Sequence, residues 1–248
     1  MNKTPSIGTW LSIGSPVVAE LAALSGFDWV LLDLEHGNGS EASLPDQLRA
    51  LRGSHSKGVV RVGAPHPELI ARVLDWGADG VMVPHVANAR EAEAFVRAAH
   101  YPPRGRRGFS RTVRAHDYGL RTPESTPAPL LIAQIETLAA VHEAAEIAQV
   151  KGIDVLFVGP ADLQHDLRNT PAPGSLAFEE CLERVLTAAR AAGKHAGILL
   201  RDESELRDRV AQGFTQLAVQ SDLSLLREAF RAILLKTRAV ACHVTTAS

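Results

Sequence analysis

The chain has 248 residues, of which 46% are hydrophobic and 22% charged, and its formal net charge is −2 at pH 7. This charge argues against nucleic acid or an anionic membrane surface as a partner. No apolar stretch reaches the roughly 18–20 residues of a membrane span, and residues 1–6 lack the apolar core of a signal peptide. Cys181 and Cys242 show no metal or redox spacing, which favours a cytoplasmic protein. We expect one globular domain over residues 1–248.

A repeated unit predicts the fold. A helix-like segment ends at a glycine, and a short apolar run follows two or three residues later, at Gly26, Gly77, Gly152, Gly193 and Gly213. Glycine just past a helix takes the left-handed conformation that other residues resist. A continuous apolar run without alternation is typical of a strand covered on both faces, as in a parallel sheet.

In chain order, strands are predicted at 6–12, 26–33, 57–62, 77–84, 129–136, 152–159, 193–200 and 213–220. Helices are predicted after Ser15 and Asn88, from Pro67, and over 177–192 and 203–212, with N-cap residues or proline at the start. Eight such alternations favour a closed (β/α)₈ TIM barrel over an open doubly wound sheet, whose glycine fingerprint is absent.

One segment breaks this rhythm. Residues 101–127 are proline-rich and carry six arginines, at positions 104, 106, 107, 111, 114 and 121. A connection this long in a compact domain is usually functional or involved in assembly, although a solvated basic loop is equally compatible. We expect part of it to close a subunit interface next to the barrel mouth.

Polar side chains follow the predicted strands where the strands end. These are Glu35 and His36 after the second strand, Arg61 on the third, His85 after the fourth, Gln134 and Glu136 on the fifth and Asp162 after the sixth. Because the C-terminal ends of barrel strands form one mouth, we expect these groups to converge there as an active site.

Two carboxylates in this set predict a metal site. Glu136 and Asp162 end neighbouring strands, and two carboxylates with room for waters suit a hard divalent ion such as Mg²⁺ or Mn²⁺. A pair of structural ion pairs at the barrel rim is the alternative.

The basic residues suggest proton transfer and charge stabilisation. His36 is a candidate general base, with Asp33 or Asp75 as the acid that orients it, although it can equally cap the loop at Gly37. Arg61 interrupts an apolar strand, where it needs a partner, and at the mouth it can hold a carboxylate or enolate oxygen.

The five lysines exclude one mechanism. Lys57, Lys151 and Lys194 precede strands, so they are expected at the opposite end of the barrel from the mouth. No lysine is therefore placed to form a Schiff base with a carbonyl substrate. A barrel aldolase built from this chain would have to depend on a metal.

At these residues the chain resembles the HpcH/HpaI family of class II, metal-dependent 2-oxo-acid aldolases. The resemblance runs from about residue 8 to about residue 222. It rests on six motifs, at 8–11 (GTWL), 33–37 (DLEHG), 60–62 (VRV), 101–108 (YPPRGRRG), 134–136 (QIE) and 159–163 (GPADL).

The resemblance implies roles for the site residues. Glu136 and Asp162 match the ligands of a divalent metal ion (Mg²⁺, Mn²⁺ or Co²⁺). His36 matches the catalytic base and Asp75 the acid that orients it. Arg61 matches the arginine on the enolate oxygen.

The resemblance also implies a substrate pocket and an assembly. Gln134, Trp10 and Asp33 match residues that line the substrate site, and the backbone amides of Ala161 and Asp162 match the cradle for the substrate carboxylate. The family usually forms homo-hexamers, trimers of dimers, that exchange the last helix between subunits. Here that helix would be 223–235.

The implied reaction is reversible cleavage of a 4-hydroxy-2-oxo acid to pyruvate, or a close 2-oxo acid, and an aldehyde, through a metal-stabilised enolate. Two alternatives remain: a CoA-thioester lyase of the citryl/malyl-CoA type, and a non-catalytic 2-oxo-acid-binding barrel. Gln220 and Ser221 stand where relatives commonly have a glycine-containing turn, near the expected aldehyde site. The aldehyde therefore stays open.

Overall fold

A computed structural model describes residues 4–169 and 176–246, without the side chains of 123 and 239–246. Its eight strands are parallel and close into a barrel in sequence order, which confirms the (β/α)₈ fold. They are β1 Ser6–Leu11, β2 Trp29–Asp33, β3 Lys57–Arg61, β4 Gly80–Val83, β5 Leu130–Ile135, β6 Val155–Val158, β7 His195–Leu200 and β8 Gln216–Ser221.

The helices surround the barrel. They are α1 Pro16–Leu24, α2 Leu44–Ala50, α3 Pro67–Asp75, α4 Ala89–Ala99, α5 Leu138–His142, α6 Ala144–Gln149, α7 Pro160–Asn169, α8 Phe178–Ala191, α9 Leu206–Gln212 and α10 Asp222–Thr246. The predicted starts at Ser15, Pro67 and Asn88 are confirmed, and the Asn88 side chain accepts a hydrogen bond from the Glu91 amide. Helices α2 and α7 have no counterpart among the predicted helices.

The glycine repeat is confirmed by the backbone. All five repeat glycines have positive φ angles, from 69° at Gly193 to 114° at Gly213. This left-handed turn is disfavoured for a residue with a Cβ atom. It lets each chain segment leave a helix and enter the next strand within a few residues.

Two apolar layers form the core. Inside the barrel, the Phe157 ring lies 5.9 Å from the Trp10 ring and 6.2 Å from the Trp29 ring. Leu31, Val59 and other inward residues fill the remaining space. Outward residues of the same strands pack against the helices. Because side chains alternate along a strand, every second residue faces the interior.

The basic segment 101–127 lies at the barrel end opposite the mouth. The prediction that it lies next to the mouth is therefore wrong for the mouth of the same chain. Arg114 donates hydrogen bonds to the carbonyls of Trp76 and Leu48. Arg121 lines a cavity of about 630 Å³ together with Lys57, at the start of β3. The physical reason is connectivity, because this segment links the end of α4 to the start of β5.

Helix α10 begins against the barrel and then leaves it. The Asp222 carboxylate accepts hydrogen bonds from the Ser12 and Ile13 amides, 2.9 and 3.0 Å long. From its second residue onward the helix exposes apolar side chains: Leu223, Leu225, Leu226, Phe230, Ile233, Leu234 and Leu235. Val17, Leu21 and Leu24 of α1 are also exposed. Within the described residues, no helix is both long and apolar enough to span a membrane.

Candidate active site

The polar layer of the mouth follows from strand alternation. Inside the barrel, Leu31, Val59 and Ile132 face the apolar interior. Two residues further along each strand stand Asp33, Arg61 and Gln134, and Glu136 follows after two more. Asp33 and Arg61 are register partners on β2 and β3. The strands therefore carry apolar side chains at depth and charged ones at their C-terminal ends.

Arg61 is buried between two carboxylates. Its Nε and Nη2 atoms donate to the two oxygens of Asp33, at 2.9 and 2.7 Å. Its Nη1 atom lies 2.6 Å from Glu35 Oε2. The guanidinium carbon lies 4.9 Å from the centre of the Trp10 ring, whose indole N–H donates to Asp33 at 3.2 Å. A guanidinium has five N–H groups, so two remain for a substrate oxygen.

This pairing keeps Asp33 ionised. Burial alone would raise the pKa of Asp33. Hydrogen bonds and charge from Arg61, with smaller help from the Glu35 amide and the Trp10 indole, nevertheless hold that pKa below its usual value. Asp33 and Arg61 therefore form a fixed ion pair beneath the mouth, which orients the guanidinium.

Glu136 is a buried carboxylate whose surroundings disfavour its charged form. Burial raises its pKa, and the charges of Asp162 and Glu35 raise it further, whereas the His85 amide and ring oppose the shift. Its Oε2 accepts from Gln134 Nε2 at 2.6 Å. Gln134 Oε1 is buried without a hydrogen-bond partner among the described residues. An unpaired buried oxygen of this kind can accept from a bound ligand.

The junction of β6 and α7 brings in the second carboxylate. A Cβ atom on Gly159 would lie 2.7 Å from Glu136 Oε2, so only glycine lets the chain pass this close. Helix α7 begins at the next residue and carries Ala161 and Asp162 in its first turn, both exposed. The first amides of a helix lack intrahelical acceptors and attract anions.

The donor set fits a divalent metal ion. Two carboxylates, Asp33 and Glu35, pair with the buried Arg61. The other two, Glu136 and Asp162, lie close enough for the charge of Asp162 to raise the pKa of Glu136, although burial is the larger cause. Within the described residues, no group of three or more His, Cys, Asp or Glu forms a metal cage. A metal held by two carboxylates, with water or substrate oxygens completing its coordination, is the arrangement that Mg²⁺ favours.

His36 lies at the mouth, but Asp75 does not. The His36 side chain is 69% exposed, and its Nε2 atom lies 3.9 Å from Glu35 Oε1. Asp75 ends α3, which runs back to the opposite end of the barrel, and its carboxylate pairs with Arg107 at 2.5 Å. The expectation that Asp75 orients His36 does not hold within one chain.

Asp33, the other orienting acid expected, contacts His36 only through the backbone. The His36 amide donates to Asp33 Oδ1 at 3.4 Å, while both oxygens of that carboxylate are engaged by Arg61. Among these acids, the one beside the His36 ring is Glu35.

Glu35 and His85 are the site residues whose roles the sequence did not reveal. His85 has a φ angle of 55°, in the left-handed region. Its ring lies between two carboxylates, with Nδ1 2.8 Å from Glu136 Oε1 and Nε2 3.2 Å from Glu35 Oε1. Both residues follow strand ends, which was the available signal, but no spacing rule shows that a ring will join them.

Two further expectations concern the periphery. Lys57 starts β3, and Lys151 and Lys194 lie shortly before β6 and β7, away from the mouth as predicted. Lys3 lies outside the described residues. Gln220, where relatives commonly have a glycine-containing turn, has a φ angle of 56°. Its backbone thus takes a conformation that favours glycine.

The comparisons with known proteins show the family of this chain. A family model described as HpcH/HpaI aldolase/citrate lyase matches residues 6–229. The hydroxypyruvate/pyruvate aldolase of Agrobacterium fabrum is 37% identical over 233 residues, which cover 92% of this chain and 88% of the relative. The 5-keto-4-deoxy-D-glucarate aldolase of Shigella dysenteriae is 36% identical, with 92% and 90% covered.

A solved structure gives the same result. The crystal structure of an HpcH/HpaI aldolase/citrate lyase family protein from Burkholderia cenocepacia superposes with a TM-score of 0.88 and 36% identity, covering 95% of each chain. With relatives named as aldolases over most of its length, the chain is an enzyme rather than a non-catalytic binding barrel. It belongs to the HpcH/HpaI aldolase/citrate lyase family and is a lyase of the class II aldolase type.

Proposed function

We propose that this aldolase reversibly cleaves a 4-hydroxy-2-oxo acid to pyruvate, or a close 2-oxo acid, and an aldehyde. The observation that carries the proposal is the meeting of Glu136, Asp162 and Arg61 at one mouth. The carboxylates suit a cation, and the arginine suits the negative charge of an enolate. Relatives named for hydroxypyruvate, pyruvate and 5-keto-4-deoxy-D-glucarate support a small oxygen-rich substrate.

Glu136 and Asp162 would hold a divalent metal ion, with Mg²⁺, Mn²⁺ and Co²⁺ as candidates. When bound, such an ion supplies Lewis-acid stabilisation of negative charge on the substrate oxygens. Gln134 supports this role because its amide N–H holds Glu136 Oε2 at 2.6 Å. Gly159 supports it by leaving room for that carboxylate.

Residues around this pair would position the 2-oxo acid. The free backbone amides of Ala161 and Asp162, at the start of α7, would bind the C1 carboxylate. The two unused N–H groups of Arg61 would donate to the C2 oxygen as negative charge develops there. Asp33 and Trp10 hold the guanidinium in place for this task.

His36 would accept the proton from the C4 hydroxyl as the C3–C4 bond breaks, which leaves the aldehyde and an enolate. A proton from solvent would then add to C3 of the enolate to give pyruvate. Its ring is exposed at the mouth, and histidine is a common general base. Glu35, 3.9 Å from the ring, replaces Asp75 as the acid beside it. In the direction of synthesis, His36 would return the proton to the new hydroxyl oxygen.

A homo-oligomer would complete the molecule, with a hexamer as the expected state. The exposed apolar side chains of α10 and α1 support exchange of α10 between copies, because each copy offers one such helix and one uncovered face. A cytoplasmic location is proposed on the cysteine usage alone, and of the two cysteines Cys181 is buried and free.

A CoA-thioester lyase is the less favoured alternative. Its nucleotide half would need a basic surface near the mouth. In this chain the six-arginine segment lies at the other end of the barrel. The aldolase relatives, at 36–38% identity, also weigh against it.

The test is pyruvate release from a panel of 4-hydroxy-2-oxo acids, with and without chelator. Excess EDTA is expected to abolish release, and Mg²⁺, Mn²⁺ or Co²⁺ to restore it. Glu136→Gln should lose activity that added metal does not restore. Full activity in EDTA, or trapping of pyruvate on the protein by borohydride, would contradict a metal-dependent mechanism.

A further inference from the structure

His85 holds an unusual position for a residue outside the expected catalytic set. Its left-handed backbone, with φ at 55°, points its amide at Glu136 Oε1, to which it donates at 2.6 Å. The ring Nδ1 atom lies 2.8 Å from the same oxygen. A non-glycine residue in this conformation is strained and persists when surrounding contacts hold it. Here those contacts are with the carboxylates of Glu136 and Glu35.

The ring also connects the two halves of the site. From Nε2 the path runs 3.2 Å to Glu35 Oε1, and from Glu35 Oε2 it runs 2.6 Å to Arg61 Nη1. Glu35 Oε2 has no aligned hydrogen bond among the described residues. The Glu35 carboxylate is therefore positioned by the ion pair of Oε2 with Arg61 and by the contact of Oε1 with His85. Polar contacts thus connect Arg61 through Glu35 and His85 to Glu136.

We infer that His85 is a positioning residue, whose ring fixes the Glu136 carboxylate for the metal and, through Glu35, ties that carboxylate to Arg61. The inference rests on the proposed metal site. Groups that hold a ligand carboxylate by hydrogen bonds orient it, and their loss typically costs about 10–100-fold in metal affinity. The backbone amide of His85 already binds Glu136, so the question is what the ring adds.

The experiment measures the dissociation constant for Mn²⁺ by titration of the metal-free protein, with no substrate present. His85→Asn tolerates a left-handed backbone and keeps the amide, and His85→Gly keeps the amide and relieves the strain. Both variants should bind Mn²⁺ about tenfold or more weakly than the wild type. His55→Asn, on an exposed loop before β3, makes the same chemical change at the opposite end of the barrel and should bind like the wild type.

Glu35→Gln tests the link to Arg61. Because His85 and Glu35 belong to one bridge, the double variant His85→Asn/Glu35→Gln should lose less affinity than the product of the two single losses. Independent, multiplicative losses would overturn the bridge. Wild-type Mn²⁺ affinity in both His85 variants would overturn the role of the ring while leaving the metal site intact. A wild-type protein that binds no Mn²⁺, like Glu136→Gln, would overturn the metal site and this inference together.

Discussion

At the scale of single residues, Arg61 compensates the negative charge of two buried carboxylates at the mouth. It is the buried cation between Asp33 and Glu35. The sequence indicated that Arg61 needs a partner inside an apolar strand, and the structure supplies two. Arg61 therefore stabilises the fold, since either carboxylate would be costly to bury alone, and in the proposed mechanism it also serves the substrate.

Replacing Arg61 tests both roles. Arg61→Ala is expected to lower kcat by about 10²–10³-fold, the usual cost of losing one stabiliser of developing charge. It should also lower the free energy of unfolding by about 3–5 kcal/mol, because it leaves buried carboxylates uncompensated. Steady-state kinetics and urea unfolding measure the two effects.

Arg97→Ala is the matched control, since its guanidinium is exposed and pairs with Glu93 on the helix surface. It should leave kcat unchanged. A loss of less than tenfold in kcat for Arg61→Ala would remove Arg61 from the mechanism and leave only its structural role.

The direction of each element decides which residues reach the mouth. The ends of the predicted strands placed Arg61, Gln134 and Glu136 at the mouth from the sequence, because the C-terminal ends of barrel strands form one rim. Helices run the other way, so a residue late in a helix, such as Asp75, returns to the far end. The bridge through His85 was not predictable, since it depends on one left-handed backbone angle and on side-chain rotamers.

The junction between β6 and α7 offers a test at this scale. In Gly159→Ala, the new Cβ atom would come within 2.7 Å of Glu136 Oε2 and 2.8 Å of Gln134 Nε2. The carboxylate must therefore move, and Mn²⁺ binding and pyruvate release should both fall severalfold while the circular dichroism spectrum is kept. Gly108→Ala is the control, because its Cβ would meet no atom within 4 Å. Equal activity in the two variants would show that the close approach at Gly159 has no effect on the site.

At the scale of the whole molecule, α10 begins on the barrel and then exposes an apolar surface. The barrel and its helix order followed from the glycine repeat. The exposure of α10 did not, because an apolar helix looks the same in sequence whether it packs on its own barrel or on another. Its side chains, with Phe230 66% exposed, leave an apolar surface that water does not favour.

Charges on this surface should dissociate the assembly. The double variant Leu226→Asp/Phe230→Asp is expected to shift the wild-type oligomer to a smaller species, because the carboxylates would be desolvated at the interface. Light scattering after gel filtration gives the mass, and circular dichroism checks the fold. Arg231→Ala, on the same exposed helix, should keep the wild-type mass. A monomeric wild-type protein would contradict the proposed exchange.

The alternation of side chains along the strands also makes the mouth sensitive to strand length. Glu136 reaches the site because it stands four positions, an even number, after Ile132 in the interior. Deleting Ala133 would turn Gln134 and Glu136 outward into the helix layer and bring Ile135 into the mouth. The number of residues between the interior and the mouth of each strand is thus constrained. It must keep its parity, just as the mouth residue must keep its identity. The αβ connections at the other end, including the six-arginine segment, can change in length without shifting any of these side chains.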